Sequence, residues 1–178
     1  MNVSAEDLRY PIGRFDAARR VEAAERPALI DSIASAPARF RAAAEGLEDD
    51  RLDTPYRPGG WTVRQLIHHV PDSHMNAYVR FKWTLTEDTP TIKTYDQAAW
   101  AELGDTRETP VGFSLALLES LHARWVMLLR GLSDSDWDRR LNHPEWGVIG
   151  LPTMLALYAW HGEHHTAHVM GLRKRMGW

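Results

Sequence analysis

Four stretches of the chain carry apolar residues at the three-to-four-residue spacing of an amphipathic helix. The first, "PALIDSIASAPARFRAAAEG" from Pro27 to Gly46, is rich in Ala and opens on a proline suited to a first turn. Pro37 within it lacks an amide donor and is expected to kink or split the helix. The second opens on Thr62 and Gln65, the capping-box spacing, and runs to about Thr86, with Pro71 bending it just past His69. The third, "FSLALLESLHARWVMLLRGL", aligns Leu115, Leu118, Leu121, Trp125 and Leu128 on one stripe and stops at Gly131. The fourth starts with Pro152 in a first-turn position and ends on Arg173, Lys174 and Arg175, cations suited to a helix C-terminus.

Punctuation between these stretches sets the connections. "YPIGRF" reads as an extended N-terminal arm, because Pro11 and Gly13 interrupt any helical period. "TPTIKTYDQAAWAELGDTRETPVG" is a long crossover between the second and third helices, with one short helical turn at "DQAAWAEL". "LNHPEWGVIG" has the turn chemistry of a small hairpin. A faint repeat supports the segmentation: "GLEDDRLD" and "GLSDSDWD" each follow a helix and precede a Trp-containing loop and a His-bearing helix. The pattern predicts an all-α four-helix bundle made of two αα halves, one domain over residues 1–178.

Composition narrows the function. With 178 residues the chain can bury a core without staples, and 21 basic against 24 acidic residues give no electrostatic case for nucleic acid. The N-terminus lacks the basic and apolar regions of a signal peptide, and no run approaches a membrane span, so a cytoplasmic protein is expected. The absence of cysteine excludes thiolate ligands and Cys nucleophiles, so a metal would be held by His, Asp or Glu.

Histidine supplies that possibility. "WHGEHHTAH", Trp160 to His168, holds four of the nine histidines. At about 100° per residue, His161 and His165 lie about 40° apart on one turn and can reach a single ion, with His168 and Tyr158 on the same face and His164 on its flank. A third ligand must come from elsewhere, and the pair His68–His69 on the second helix is the best source. Asp72, Ser73, Asn76 and Arg80 continue the face of His69 as a polar series, whereas that of His68 turns apolar at Met75 and Val79, which favours His69. His74, His122 and His143 lack partners in helical register and read as surface or structural. "HGEHH" is not the H-E-x-x-H zincin pattern.

With "DTPYRPGGWTVRQLIHHVPDSHMNAYVRFKWTLTEDTP" and "YAWHGEHHTAHVMGLRKRMGW" both in view, nearly the whole chain resembles the DinB-like metalloprotein superfamily, in its YfiT branch. That resemblance implies a homodimeric four-helix bundle in which His69, His161 and His165 hold nickel or zinc. It also implies a metal-dependent hydrolase or a bacillithiol S-transferase, and Pro71 departs from the family pattern beside His69.

The leading expectation is therefore a divalent-metal-dependent S-transferase, in which a low-molecular-weight thiol such as bacillithiol is held as a thiolate and attacks a small-molecule electrophile. Asp72 and Asn76 are candidates for hydrogen bonds around the ligands or substrate, and Tyr158 for the pocket. Arg80, about 16 Å along the helix from His69, is a candidate grip for a carboxylate at the far end of the thiol. The alternatives are a hydrolase with His168 or Glu163 as the proton carrier, and a non-enzymatic metal-binding dimer.

Overall fold

The computed structural model of the protein describes residues 5–178. A short helix α1 (Ala5–Arg9) and a 3-10 turn (Ala23–Glu25) lead into α2 (Arg26–Ala44), followed by a turn of helix α3 (Asp49–Leu52) and α4 (Val63–Thr86). The crossover contains α5 (Gln97–Trp100) and α6 (Gly104–Glu108) and enters α7 (Val111–Arg130). After the turn α8 (Asp134–Trp137), a hairpin of β1 (Arg140–His143) and β2 (Gly147–Gly150) feeds α9 (Leu151–Met176).

The four long helices close a ring in which α2 packs on α9, α9 on α4, α4 on α7 and α7 on α2. The two helices of each sequence half thus stand diagonally opposite, not side by side as an αα hairpin. This arrangement makes neighbours of α4 and α9, the two His-bearing helices, which belong to different halves.

Local chemistry explains the helix boundaries. Thr62 Oγ1 accepts from the Gln65 amide at 3.1 Å while Gln65 Oε1 accepts from the Thr62 amide at 2.9 Å, a reciprocal capping box that starts α4. Pro37 and Pro71 lie inside α2 and α4 without splitting either, because packing on both sides fixes helices that each lose one amide bond. The hairpin is antiparallel, pairing Arg140 with Gly150, and the crossover is pinned to it where the Ile92 amide donates to Asn142 O and the Asn142 amide to Pro90 O. The N-terminal arm is less extended than its sequence suggests: α1 packs on α9, and a turn closes from the Gly13 amide to Tyr10 O with Gly13 at φ +80°.

The apolar stripes form two clusters. Trp125, fully buried, anchors one of them edge-on to Phe81 and Tyr158, at ring-centroid distances of 5.5 and 5.6 Å. Phe40, Leu66, Ile67 and Leu118 centre the other, toward the C-terminal end of α9. Contrary to the sequence expectation, α7 is long and apolar enough to cross a membrane by length and composition. In the bundle it turns Leu115, Leu118, Trp125 and Leu129 inward against α2 and α4, leaving Phe113, Leu117 and Met127 exposed.

Trp125→Ala is expected to remove about 3–5 kcal/mol of stability, read as a lower urea midpoint at unchanged slope. Met127→Ala on the exposed side of the same helix is expected to stay within about 0.5 kcal/mol of the parent.

Candidate metal centre

Because α4 and α9 are neighbours, His69 on α4 reaches the one-turn pair His161 and His165 on α9. One ring nitrogen of each lies within 4.8 Å of the others, and His69 Nε2 stands 3.3 Å from His161 Nε2. His68 points elsewhere, with Nδ1 2.7 Å from Ser114 Oγ on α7, so the structure brings together His69, His161 and His165.

Two backbone carbonyls dictate where the lone pairs of this cluster point. The Ile33 carbonyl, which can only accept, lies 2.7 Å from His122 Nδ1, so that nitrogen carries the proton. His122 Nε2 then accepts from His74 Nδ1–H at 2.7 Å, and His74 Nε2 accepts from His161 Nδ1–H at 3.0 Å. His161 Nε2 is left with its lone pair facing His69. On the other side His168 Nε2–H donates to the Arg9 carbonyl at 3.0 Å, and His168 Nδ1 accepts from His165 Nδ1–H at 3.3 Å, leaving the His165 ε nitrogen unprotonated.

Burial keeps these rings neutral. Desolvation pushes His69, His122 and His168 each down to about 4, and holds His74, His161 and His165 well below the ordinary imidazole value. His69, whose tautomer no acceptor fixes, can donate from Nε2 to the His161 lone pair at 3.3 Å or, as the other tautomer, present a lone pair beside it to a cation. Three neutral imidazoles, two of them oriented through Nδ1–H by a further histidine, are a donor set that fits a divalent transition-metal ion.

Above the cluster opens a cavity of about 310 Å³ walled by Tyr10, Tyr56, Trp61 and Trp160. His168 and His164 also line it, but His168 has both ring nitrogens committed, which removes the proton-carrier role considered for it. Glu163, the other carrier considered, sits outside the cavity and accepts from Ser32 Oγ at 2.8 Å. His164 is stacked on Trp160 at 4.3 Å, and its buried Nδ1 has no hydrogen-bond partner.

The polar series beyond His69 serves the fold and not the cavity. Burial, and after it the charge of Asp105, pushes the Asp72 carboxyl up to about 6, and Asn76 Nδ2 donates back to the Asp72 carbonyl at 2.9 Å. Arg80 is buried, donating to Tyr158 Oη at 3.2 Å and to the Lys93 carbonyl at 2.9 Å, so it ties α4 to α9 and the crossover. Asp72, Asn76, Arg80 and Tyr158 all lie outside the cavity lining. The polar stripe seen in the sequence is the seat of the crossover, which the periodicity of one helix cannot distinguish from a pocket wall.

His74 and His122 were missed as site residues, and neither is at the surface: they are 0% and 1% exposed. One signal for His122 was available, since it falls four residues after Leu118 and three before Trp125, on the apolar stripe of α7. His143 is also buried, stacked on Trp146 at 4.7 Å.

All nine histidines have their pKa lowered, desolvation being the first cause in each. Below the ordinary imidazole pKa the unfolded chain therefore binds more protons than the folded one, and stability falls as pH drops. His122 alone, held at about 4 against 6.5, corresponds to a loss of about 2 kcal/mol between pH 7 and pH 5. Urea midpoints of the metal-free protein should fall steeply over that interval; a flat profile would show that the rings are not held neutral.

Comparison with known proteins agrees with this architecture. A family model described as the DinB superfamily matches residues 32–169. A Bacillus cereus (strain 03BB102) protein named "Putative metal-dependent hydrolase" is 52% identical over 172 residues, covering 97% of this chain and 99% of the relative. A similarly named protein of Bacillus thuringiensis subsp. konkukian matches with the same identity and coverage. The solved structure of YfiT from Bacillus subtilis, described as "a probable metal-dependent hydrolase with an unusual four-helix bundle topology", superposes with a TM-score of 0.93 at 47% identity, covering 97% of this chain and 99% of that one. The chain belongs to the DinB superfamily, in the branch of YfiT and these Bacillus relatives.

Proposed function

We propose that the protein is a metal-dependent enzyme in which His69, His161 and His165 hold one divalent ion, zinc or nickel, at the floor of the cavity. The observation that carries this reading is that one ring nitrogen of each lies within 4.8 Å of the others, with the tautomers of His161 and His165 set by hydrogen-bonded chains, through His74 and His122 and through His168, that end on backbone carbonyls. Three protein ligands beside an open cavity suit a catalytic site better than a closed four-ligand structural one. A divalent ion bound there supplies Lewis acidity, lowering the pKa of a thiol or water that reaches it.

Of the two reactions, thiol transfer to an electrophile is favoured by the cavity wall. It contains no Asp or Glu that could take a proton from water, and His168 is fully hydrogen-bonded. A low-molecular-weight thiol such as bacillithiol brings the more acidic nucleophile and needs less help from a base. The aromatic walls would exclude water and align the electrophile. Hydrolysis is the second reading, supported by the names of the relatives and by His164, which lines the cavity with an uncommitted Nδ1.

Two measurements test this. Zinc titration of the metal-free protein should give one ion per chain, with affinity reduced at least about tenfold in His69→Ala and in His165→Ala, and about ten- to a hundredfold in His122→Phe through loss of the orienting chain. Full metal retention in His69→Ala would refute the ligand set. Zinc-loaded protein offered monochlorobimane should form conjugate only with bacillithiol or glutathione present, and His165→Ala should abolish it. Turnover of an ester panel with water alone, without thiol conjugation, would select the hydrolase.

A further inference from the structure

The charge of the cavity wall points to the kind of molecule it receives. Of the fourteen lining residues none is acidic, and two, Arg9 and Arg57, carry permanent positive charge. This runs against a chain of net charge −3, in which nine arginines are paired with carboxylates. No salt bridge joins Arg9 or Arg57 to a carboxylate among the described residues.

Arg57 is also held in place. Its Nε donates to Tyr56 Oη at 3.1 Å and its Nη1 to the Pro58 carbonyl at 3.1 Å, and its guanidinium lies 5.3 Å from the Tyr56 ring centroid. Those contacts orient the fork but neutralise none of its charge, and among the described residues Nη2 has no hydrogen-bond partner. The Tyr56 ring in turn packs 3.9 Å from that of His168, so this charge is fixed beside the cluster. Arg9 also lines the cavity, its backbone carbonyl bonded to His168 and its guanidinium 5.4 Å from the Tyr10 ring centroid. Two further buried polar atoms of lining residues, Trp160 Nε1 and His164 Nδ1, have no partner.

We propose that the cavity binds a small organic anion, a carboxylate or a phosphate-type group on a planar or apolar body. The charged end sits at Arg9 and Arg57, and the body lies between the rings of Tyr10, Tyr56, Trp61 and Trp160. The polar end of such a molecule is gripped by charge-assisted hydrogen bonds, which a neutral analogue cannot form. Its uncharged part is then left over the His69–His161–His165 cluster. That last placement deepens the metal-dependent reading above and rests on it; the anion grip itself does not require the ion.

Titration calorimetry of the full chain at constant ionic strength tests the grip, using benzoate, phenylphosphonate and neutral benzamide, each with and without one equivalent of zinc. At least one anion should bind about tenfold or more tightly than benzamide in the zinc-free protein. Comparison of the two anions identifies whether a carboxylate or a phosphonate fits better. Arg9→Gln and Arg57→Gln should each weaken that preference and the double variant erase it, while Arg57→Lys keeps part of it. Arg9 is exposed and its carbonyl survives substitution, so Arg9→Gln remains informative even if changes at Arg57 unfold the loop. Equal binding of benzamide and both anions, or an anion preference that needs zinc and persists in the double variant, would overturn the proposal. Zinc stoichiometry measured in the same samples separates the two readings: zinc bound without anion preference sinks the anion site alone, and anion preference in a protein that fails to bind the added zinc sinks the metal centre alone.

Discussion

The site depends on two backbone carbonyls, those of Ile33 and Arg9, that can only accept hydrogen bonds. Each fixes the proton of a buried histidine, His122 or His168, and that choice passes along the rings to His161 or His165. Tautomers in water interconvert freely; here burial and an acceptor at the end of each chain leave one tautomer for each ring along it. The lone pairs of α9 are thereby aimed at His69.

The bundle topology makes this possible. Ile33 belongs to α2, His122 to α7, His74 to α4 and His161 to α9, so one hydrogen-bonded chain crosses all four long helices. Assembly of the bundle and orientation of the site are consequently the same event. The second chain runs to the N-terminal segment through Arg9, whose backbone orients His168 and whose side chain lines the cavity. A short peripheral helix thus takes part in the geometry at the centre.

Burial of so many imidazoles carries an energetic consequence. Neutral rings are desolvated without the large penalty of a buried charge, but the folded state then resists protonation in mild acid. Arg80, by contrast, is buried with its charge and is tolerated because Tyr158 and the Lys93 carbonyl receive two of its donors. The polar face of α4 therefore divides into a member of the histidine cluster, His69, and an anchor for the crossover, Arg80.

The sequence by itself determined the helices, the capping box at Thr62 and Gln65, the hairpin before α9 and the one-turn spacing of His161 and His165, because each is set by residues a few positions apart. It also favoured His69 over His68, although of the polar residues used in that choice Asp72 and Arg80 prove to face the crossover and Asn76 bonds back to its own helix. Helical periodicity reports which residues share a face, and says nothing about what covers it. Which helices are neighbours was decided only by the tertiary structure, since the diagonal placement of the sequence halves depends on how whole faces pack. For the same reason His74, which has no local pattern to announce it, and His122, marked only by its place on the apolar stripe of α7, became interpretable only once the helices were brought together around Trp125.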